Sequence, residues 1–107
     1  MTSWISQIDS LWTLFLDRDG VINRRIPRDY VKKCEQFELL PGVADAMRTL
    51  RQHFGFVFLV TNQQGIGKHL MTEEDLSVVH DYMNQLLTHP FDRIYHCRSE
   101  EHTSELQ

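Results

Sequence analysis

Two acidic residues two positions apart carry the clearest chemistry of this chain. Asp17 and Asp19 follow the apolar run WTLFL at 12–16 and precede Gly20. A carboxylate at a strand end can act as a nucleophile or as a metal ligand. A second carboxylate two residues later, turned back by a flexible glycine, can act as general acid and base. Aspartate nucleophiles form aspartyl-phosphates in phosphoryl transfer. A phosphate dianion is repelled by such a pair, so the chemistry requires a divalent cation, and magnesium prefers these oxygen ligands. The same residues also suit a plain polar turn, because Asp and Gly are common turn residues.

A second polar cluster follows a second apolar run, FVFLV at 56–60. Thr61 and Asn62 offer a hydroxyl and an amide that can hold phosphoryl oxygens; a turn is the alternative. Gly65, Ile66, Gly67 and Lys68 form a loop that can present one lysine to an anion or to solvent. It is not a Walker A loop: Asn62 stands where the first glycine is needed, and no Ser or Thr follows Lys68. It also lacks the third glycine of a dinucleotide fingerprint.

The hydrophobic pattern gives the elements that must position these clusters. The runs 12–16 and 56–60 suit strands buried on both faces. The basic stretch 26–36, with Pro27, reads as an excursion. Pro41-Gly42 opens a helix whose face is Val43, Met47, Leu50 and Phe54, and Gly55 is its expected stop. Thr72 is a good N-cap, with Glu73, Glu74 and Asp75 in the first turn. Leu76, Val79, Met83 and Leu86 mark the face of a second helix, which His89-Pro90 breaks. A third strand begins at 91–96. Trp4, Ile5, Ile8 and Leu11 have helical spacing and read as packing.

Strands alternating with amphipathic helices imply an α/β fold with a parallel sheet and helical crossovers. Ligands in such sheets bind beyond the carboxyl ends of the strands. If consecutive strands are neighbours, both polar clusters face one crevice.

The chain has 107 residues, enough for one domain, with 11 Lys+Arg against 15 Asp+Glu. The acidic balance argues against a nucleic-acid partner. No run reaches the ~18 apolar residues of a membrane span, and no signal peptide is visible. With only two cysteines, this points to a cytoplasmic, reducing setting. Cys34 reads as a lone thiol, and His53, His80 and His89 as surface or helix-end residues without metal spacing. Arg24, Arg25, Arg28, Lys32 and Lys33 could meet a second phosphate or simply form a solvated loop.

LFLDRDGVIN at 14–23 resembles the first motif, DxDG(T/V), of the haloacid-dehalogenase (HAD) superfamily of phosphatases. VTNQQGIGK at 60–68 resembles the second motif of its histidinol-phosphatase and heptose-bisphosphate-phosphatase branch, where TNQxGIxxG is typical. FELLPGV at 37–43 and FDRIYHC at 91–97 match that branch too. The resemblance covers 12–97. It implies a three-layer Rossmann-like HAD fold whose parallel sheet, in order 3-2-1-4-5, stops here after about three strands. Asp17 would be the nucleophile and Asp19 the general acid/base. Asp17 and the carbonyl of Asp19 would bind Mg2+. Thr61 would stabilise the transferring phosphoryl group; Asn62, Gln63 and Lys68 would bind substrate.

The implied partner is a small phosphorylated metabolite and the implied parent a monomer. A heptose bisphosphate is favoured, with histidinol phosphate as the alternative within the class. A non-catalytic phosphate-binding module is the alternative outside it. A polynucleotide phosphatase fits the acidic charge poorly, and a receiver domain carries its phosphoacceptor on a later strand.

Three features depart from the pattern. His69 stands where a glycine is usual. The third-motif Lys and the fourth-motif acid would lie further along. Cys97 aligns with the first ligand of a Zn2+ loop, although it also suits a small apolar strand-end residue.

Residues 98–107, RSEEHTSELQ, contain one apolar residue. They can be a frayed polar terminus. They are also spelled by AGATCGGAAGAGCACACGTCTGAACTCCAG, which resembles a sequencing adapter in translation. On that reading 1–97 is the N-terminal part of a phosphatase domain and 98–107 is a non-native tail. Such a fragment is expected to expose its catalytic strand as an edge and to be poorly stable and nearly inactive.

Overall fold

The structure, a computed structural model, describes residues 4–99. Its elements alternate as expected: β1 (Thr13–Leu16), α1 (Val43–His53), β2 (Phe56–Asn62), α2 (Gln64–Gly67), α3 (Glu73–Leu87) and β3 (Arg93–Cys97). The 62–68 loop thus contains one short helix, α2. β1 runs parallel to β2, from Thr13 opposite Phe56 to Leu16 opposite Leu59. β2 runs parallel to β3, from Phe58 opposite Arg93 to Asn62 opposite Cys97. The order is β1-β2-β3, so β1 is an edge. Consecutive strands are neighbours, and all three end on one side.

Side chains alternate across the sheet. Leu14, Leu16, Val57 and Leu59 turn toward Met47 of α1 and Val79 and Met83 of α3, forming the main core with Ile22, Val31 and Phe37. The opposite face carries aromatic rings. Phe58 meets Phe15 edge-on at 5.4 Å and Tyr95 at 6.1 Å. The expectation that β1 is buried on both faces is therefore corrected: Phe15 is 62% exposed. Both long helices pack on one face, and nothing among the described residues covers the other. Two layers of the α/β architecture are present.

The helix boundaries show three further departures. Gly42 adopts φ +82°, a left-handed conformation that glycine tolerates, at the N-cap of α1. Gly55 is not the left-handed stop of that helix; Phe54 ends it in an extended conformation. Gly55 is required by close approach instead, since a Cβ there would strike the Ser10 carbonyl. On α3, Leu87 is buried and Leu86 is exposed, because the stripe drifts along a 15-residue helix. The Thr72 cap forms with Asp75 as a reciprocal capping box. At the start of the described chain only a 3₁₀ turn, Ile5–Gln7, is formed. Ile8 packs on the core, whereas Trp4 and Leu11 are exposed.

Asp92 ties the sheet to α1. Its carboxylate takes two hydrogen bonds from Arg51, at 2.7 and 3.0 Å, and one from the Val57 amide at 2.8 Å.

Gly55→Ala is expected to lower stability by about 1–3 kcal/mol, read from urea denaturation, because the clash is with backbone. Phe15→Thr is expected to reduce light scattering and hydrophobic-dye binding while shifting stability by less than about 1 kcal/mol.

Candidate active site

β1 stops at Leu16 because the next five residues curl back. The Arg18 carbonyl accepts hydrogen bonds from the amides of Val21, Ile22 and Asn23 at 3.0, 2.7 and 3.3 Å. Gly20, at φ +87°, permits this turn. Asp17 is left exposed at the strand end, with one carboxylate oxygen accepting from the Arg18 amide at 2.7 Å. β2 ends beside it at Asn62. Asp17, Asp19, Arg25, Asp29, Asn62 and Gln64 line one cavity of about 260 Å³. The two polar clusters thus share a crevice at the strand ends. Asp19 and Asp29 are each paired with a basic side chain, Arg18 and Lys32, so Asp17 is the carboxylate left to meet an incoming anion or cation.

Asp19 is held from several sides. Its Oδ1 accepts from Arg18 Nη2 at 2.7 Å, Arg18 Nε at 3.3 Å and Asn23 Nδ2 at 3.0 Å. Its Oδ2 accepts from Gln63 Nε2 at 2.9 Å. Burial pushes its pKa up, but the Arg18 charge and these hydrogen bonds outweigh it and hold the carboxyl below its ordinary value.

Thr61 is buried, and its hydroxyl oxygen accepts from Gln63 Nε2 at 2.8 Å. Gln63 is fully buried and ties Asp19 to Thr61. Lys68 lies outside the lining; its ammonium sits 5.9 Å above the Tyr30 ring, which itself lines the cavity. In the basic excursion Arg25 reaches the cavity, while Arg24 pairs with Glu38 and Lys32 with Asp29.

Two side chains carry more than the sequence signalled. Arg18, between the two acids and not singled out from sequence, is fully buried. His80, expected at the surface, is buried on α3, with its Nε2 3.0 Å from Arg18 Nη1. The signal was its place one residue after Val79 in the apolar stripe. A guanidinium only donates, so His80 Nε2 accepts and Nδ1 carries the proton. Asn23 and Gln64 also enter the site without having been singled out.

No family model matches the chain. D-glycero-alpha-D-manno-heptose-1,7-bisphosphate 7-phosphatase of Mycobacterium tuberculosis is 50% identical over 76 residues, 71% of this chain and 40% of that protein. D-glycero-D-manno-heptose-1,7-bisphosphate 7-phosphatase of Chlorobaculum tepidum is 42% identical over 93 residues, 84% of this chain and 46% of that protein. A crystal structure of D,D-heptose 1.7-bisphosphate phosphatase from B. bronchiseptica, complexed with magnesium and phosphate, matches with a TM-score of 0.74 at 31% identity. That match covers 84% of this chain and 51% of the other.

The chain belongs to the HAD-like phosphatase family that includes these proteins. It spans about half the length of these relatives.

The donors of this HAD-like chain fit magnesium in kind. Asp17 and Asp19 are hard oxygen ligands on a cavity wall, and magnesium takes one or two carboxylates and keeps several waters. Among the described residues no group of three His, Cys, Asp or Glu side chains could hold a metal ion. Cys97 ends β3 opposite Asn62, and its carbonyl accepts from the Gln63 amide. His102, with the rest of 100–107, lies outside the described residues. His69, where the family motif favours glycine, adopts φ +62°. No helix among the described residues is long and apolar enough to cross a membrane.

Burial, then the Arg18 charge, then His96 lower the His80 pKa to about 3. His80 is therefore neutral when folded and titrates near 6.5 when unfolded. The unfolded chain binds the extra proton between these values, so stability rises with pH across that window, by at most about 1.4 kcal/mol per unit. Urea titrations from pH 7 to pH 5 are expected to lose stability, and His80→Gln to flatten that loss.

Proposed function

We propose that the chain carries the nucleophile side of a magnesium-dependent phosphomonoesterase site, and that the whole protein acts on a heptose 1,7-bisphosphate. The observation that supports this most directly is the exposed Asp17 beside a fixed Asp19 and Asn62 in one cavity at the strand ends.

An Asp17 carboxylate oxygen attacks phosphorus, forming a phospho-aspartate as the bond to the sugar oxygen breaks. Asp19 protonates that leaving oxygen, then takes a proton from the water that attacks the phospho-aspartate. Its lowered pKa keeps it ionised, the form that the second role starts from. The charge of an arriving phosphate raises it toward the first. Thr61 accepts from Gln63 through its oxygen, which leaves its own proton for a phosphoryl oxygen. Asn62 offers its amide from the cavity wall. Asp17 and the Asp19 carbonyl would hold magnesium, which supplies charge neutralisation at the transferring oxygens.

Arg25 favours a substrate with a second anionic group. Histidinol phosphate is the second reading, with its ammonium set against Asp29, which also lines the cavity. A non-catalytic phosphate-binding module would need no Asp17. Residues 98–107 take no part in the chemistry proposed. Arg25 is the one cationic side chain among the described residues lining the cavity. Charge stabilisation of the transition state is accordingly weak.

Phosphate release from heptose bisphosphate with magnesium is expected to be about 10²–10³-fold slower than for a full-length relative. Asp17→Asn should abolish what remains. Turnover that survives Asp17→Asn rejects the mechanism, and Asp17-independent beryllium fluoride binding supports the binding module.

A further inference from the structure

We propose that His80 is a positioning residue for Asp19, acting through the buried guanidinium of Arg18. The inference rests on the reading of Asp19 as the acid/base of the site. Arg18 has no exposed surface. A buried guanidinium must spend its donors on acceptors, since an unpaired buried charge is strongly destabilising. Nη2 and Nε meet Asp19 Oδ1, and Nη1 meets His80 Nε2. The Phe37 ring lies 5.9 Å from the guanidinium carbon. The guanidinium is planar, so fixing Nη1 at one end fixes the direction of Nε and Nη2 at the other.

His80 sits in the apolar stripe of α3, between Val79 and Met83, where an aliphatic side chain would serve packing alone. The acceptor at that place meets Arg18 Nη1 at 3.0 Å. Asn23 and Gln63 approach Asp19 from other directions, so Arg18 is the contact that α3 controls. Without the His80 acceptor, Arg18 Nη1 loses the hydrogen bond that aims the group. The carboxylate then relaxes against Asn23 and Gln63. Supporting groups of this kind commonly change activity by about 10–100-fold.

The test uses the 107-residue chain, by NMR and by phosphate release. In the unaltered chain at pH 7, long-range proton–nitrogen spectra are expected to show His80 with Nδ1 protonated and Nε2 bare. The Arg18 guanidinium protons should be resolved by slow exchange. His80→Phe should lose the Arg18 Nη signals and shift the side-chain amide signals of Asn23 and Gln63, which report on Asp19. It should lower kcat about tenfold with KM within about twofold, and His80→Gln should restore both sets of signals and most of kcat.

A protonated Nε2 in the unaltered chain would overturn the proposal, whether or not His80→Phe folds. So would a folded His80→Phe with unchanged Arg18, Asn23 and Gln63 signals. If the unaltered chain releases no phosphate, the phosphatase reading fails for this chain. The NMR outcomes still decide the positioning.

Discussion

Arg18 lies buried one residue from the exposed Asp17, and a buried guanidinium has to be paired on several sides at once. Its partners come from separate parts of the chain: Asp19 in the same turn, Phe37 just after the excursion and His80 on α3. Asp19 in turn draws in Asn23 and Gln63, and Gln63 draws in Thr61. One charged group therefore gathers the end of β1, the end of β2 and a helix into a single arrangement. Removing a partner from a buried ionic cluster commonly costs about 3–5 kcal/mol. The cluster is thus both a structural tie and the frame of the site.

The parallel sheet makes that frame useful. The two crossovers place α1 and α3 on one face, and the parallel strands end on one side. The same topology leaves Phe15, Phe56 and Phe58 on a face that no described element covers, and β1 at the edge. Within this chain Asp19 is held by Arg18, Asn23 and Gln63. The sheet, however, has one aromatic face open to solvent. Site geometry and sheet coverage depend on different parts of the sequence, and here they separate.

The order of elements was legible because burial periodicity is local. WTLFL and FVFLV read as strands, and the spacing of Val43, Met47 and Leu50 reads as a helix, with no knowledge of the tertiary structure. Asp17, Asp19 and Asn62 were legible as one site because a parallel sheet brings its strand ends together. Arg18, Asn23 and His80 were not. Arginine between two aspartates has the composition of a solvated turn, and only the approach of α3 and Phe37 buries it. His80 carried a faint signal, its place in the stripe, but a helix face about 100° wide leaves such flanking positions undecided. Gly55 was recognised as special for the wrong cause: the constraint is the backbone at Ser10, and close approach leaves no mark in local sequence.

Charge pairing at the cavity links these observations to the chemistry. Arg18 offsets Asp19 and Lys32 offsets Asp29, so Asp17 and Arg25 are the lining charges left without an ion pair among the described residues. The Arg18 guanidinium is not open to the substrate, because its donors are taken by Asp19 and His80. It does hold Asp19 in its carboxylate form. The buried arginine sets the state of that carboxylate without itself lining the cavity.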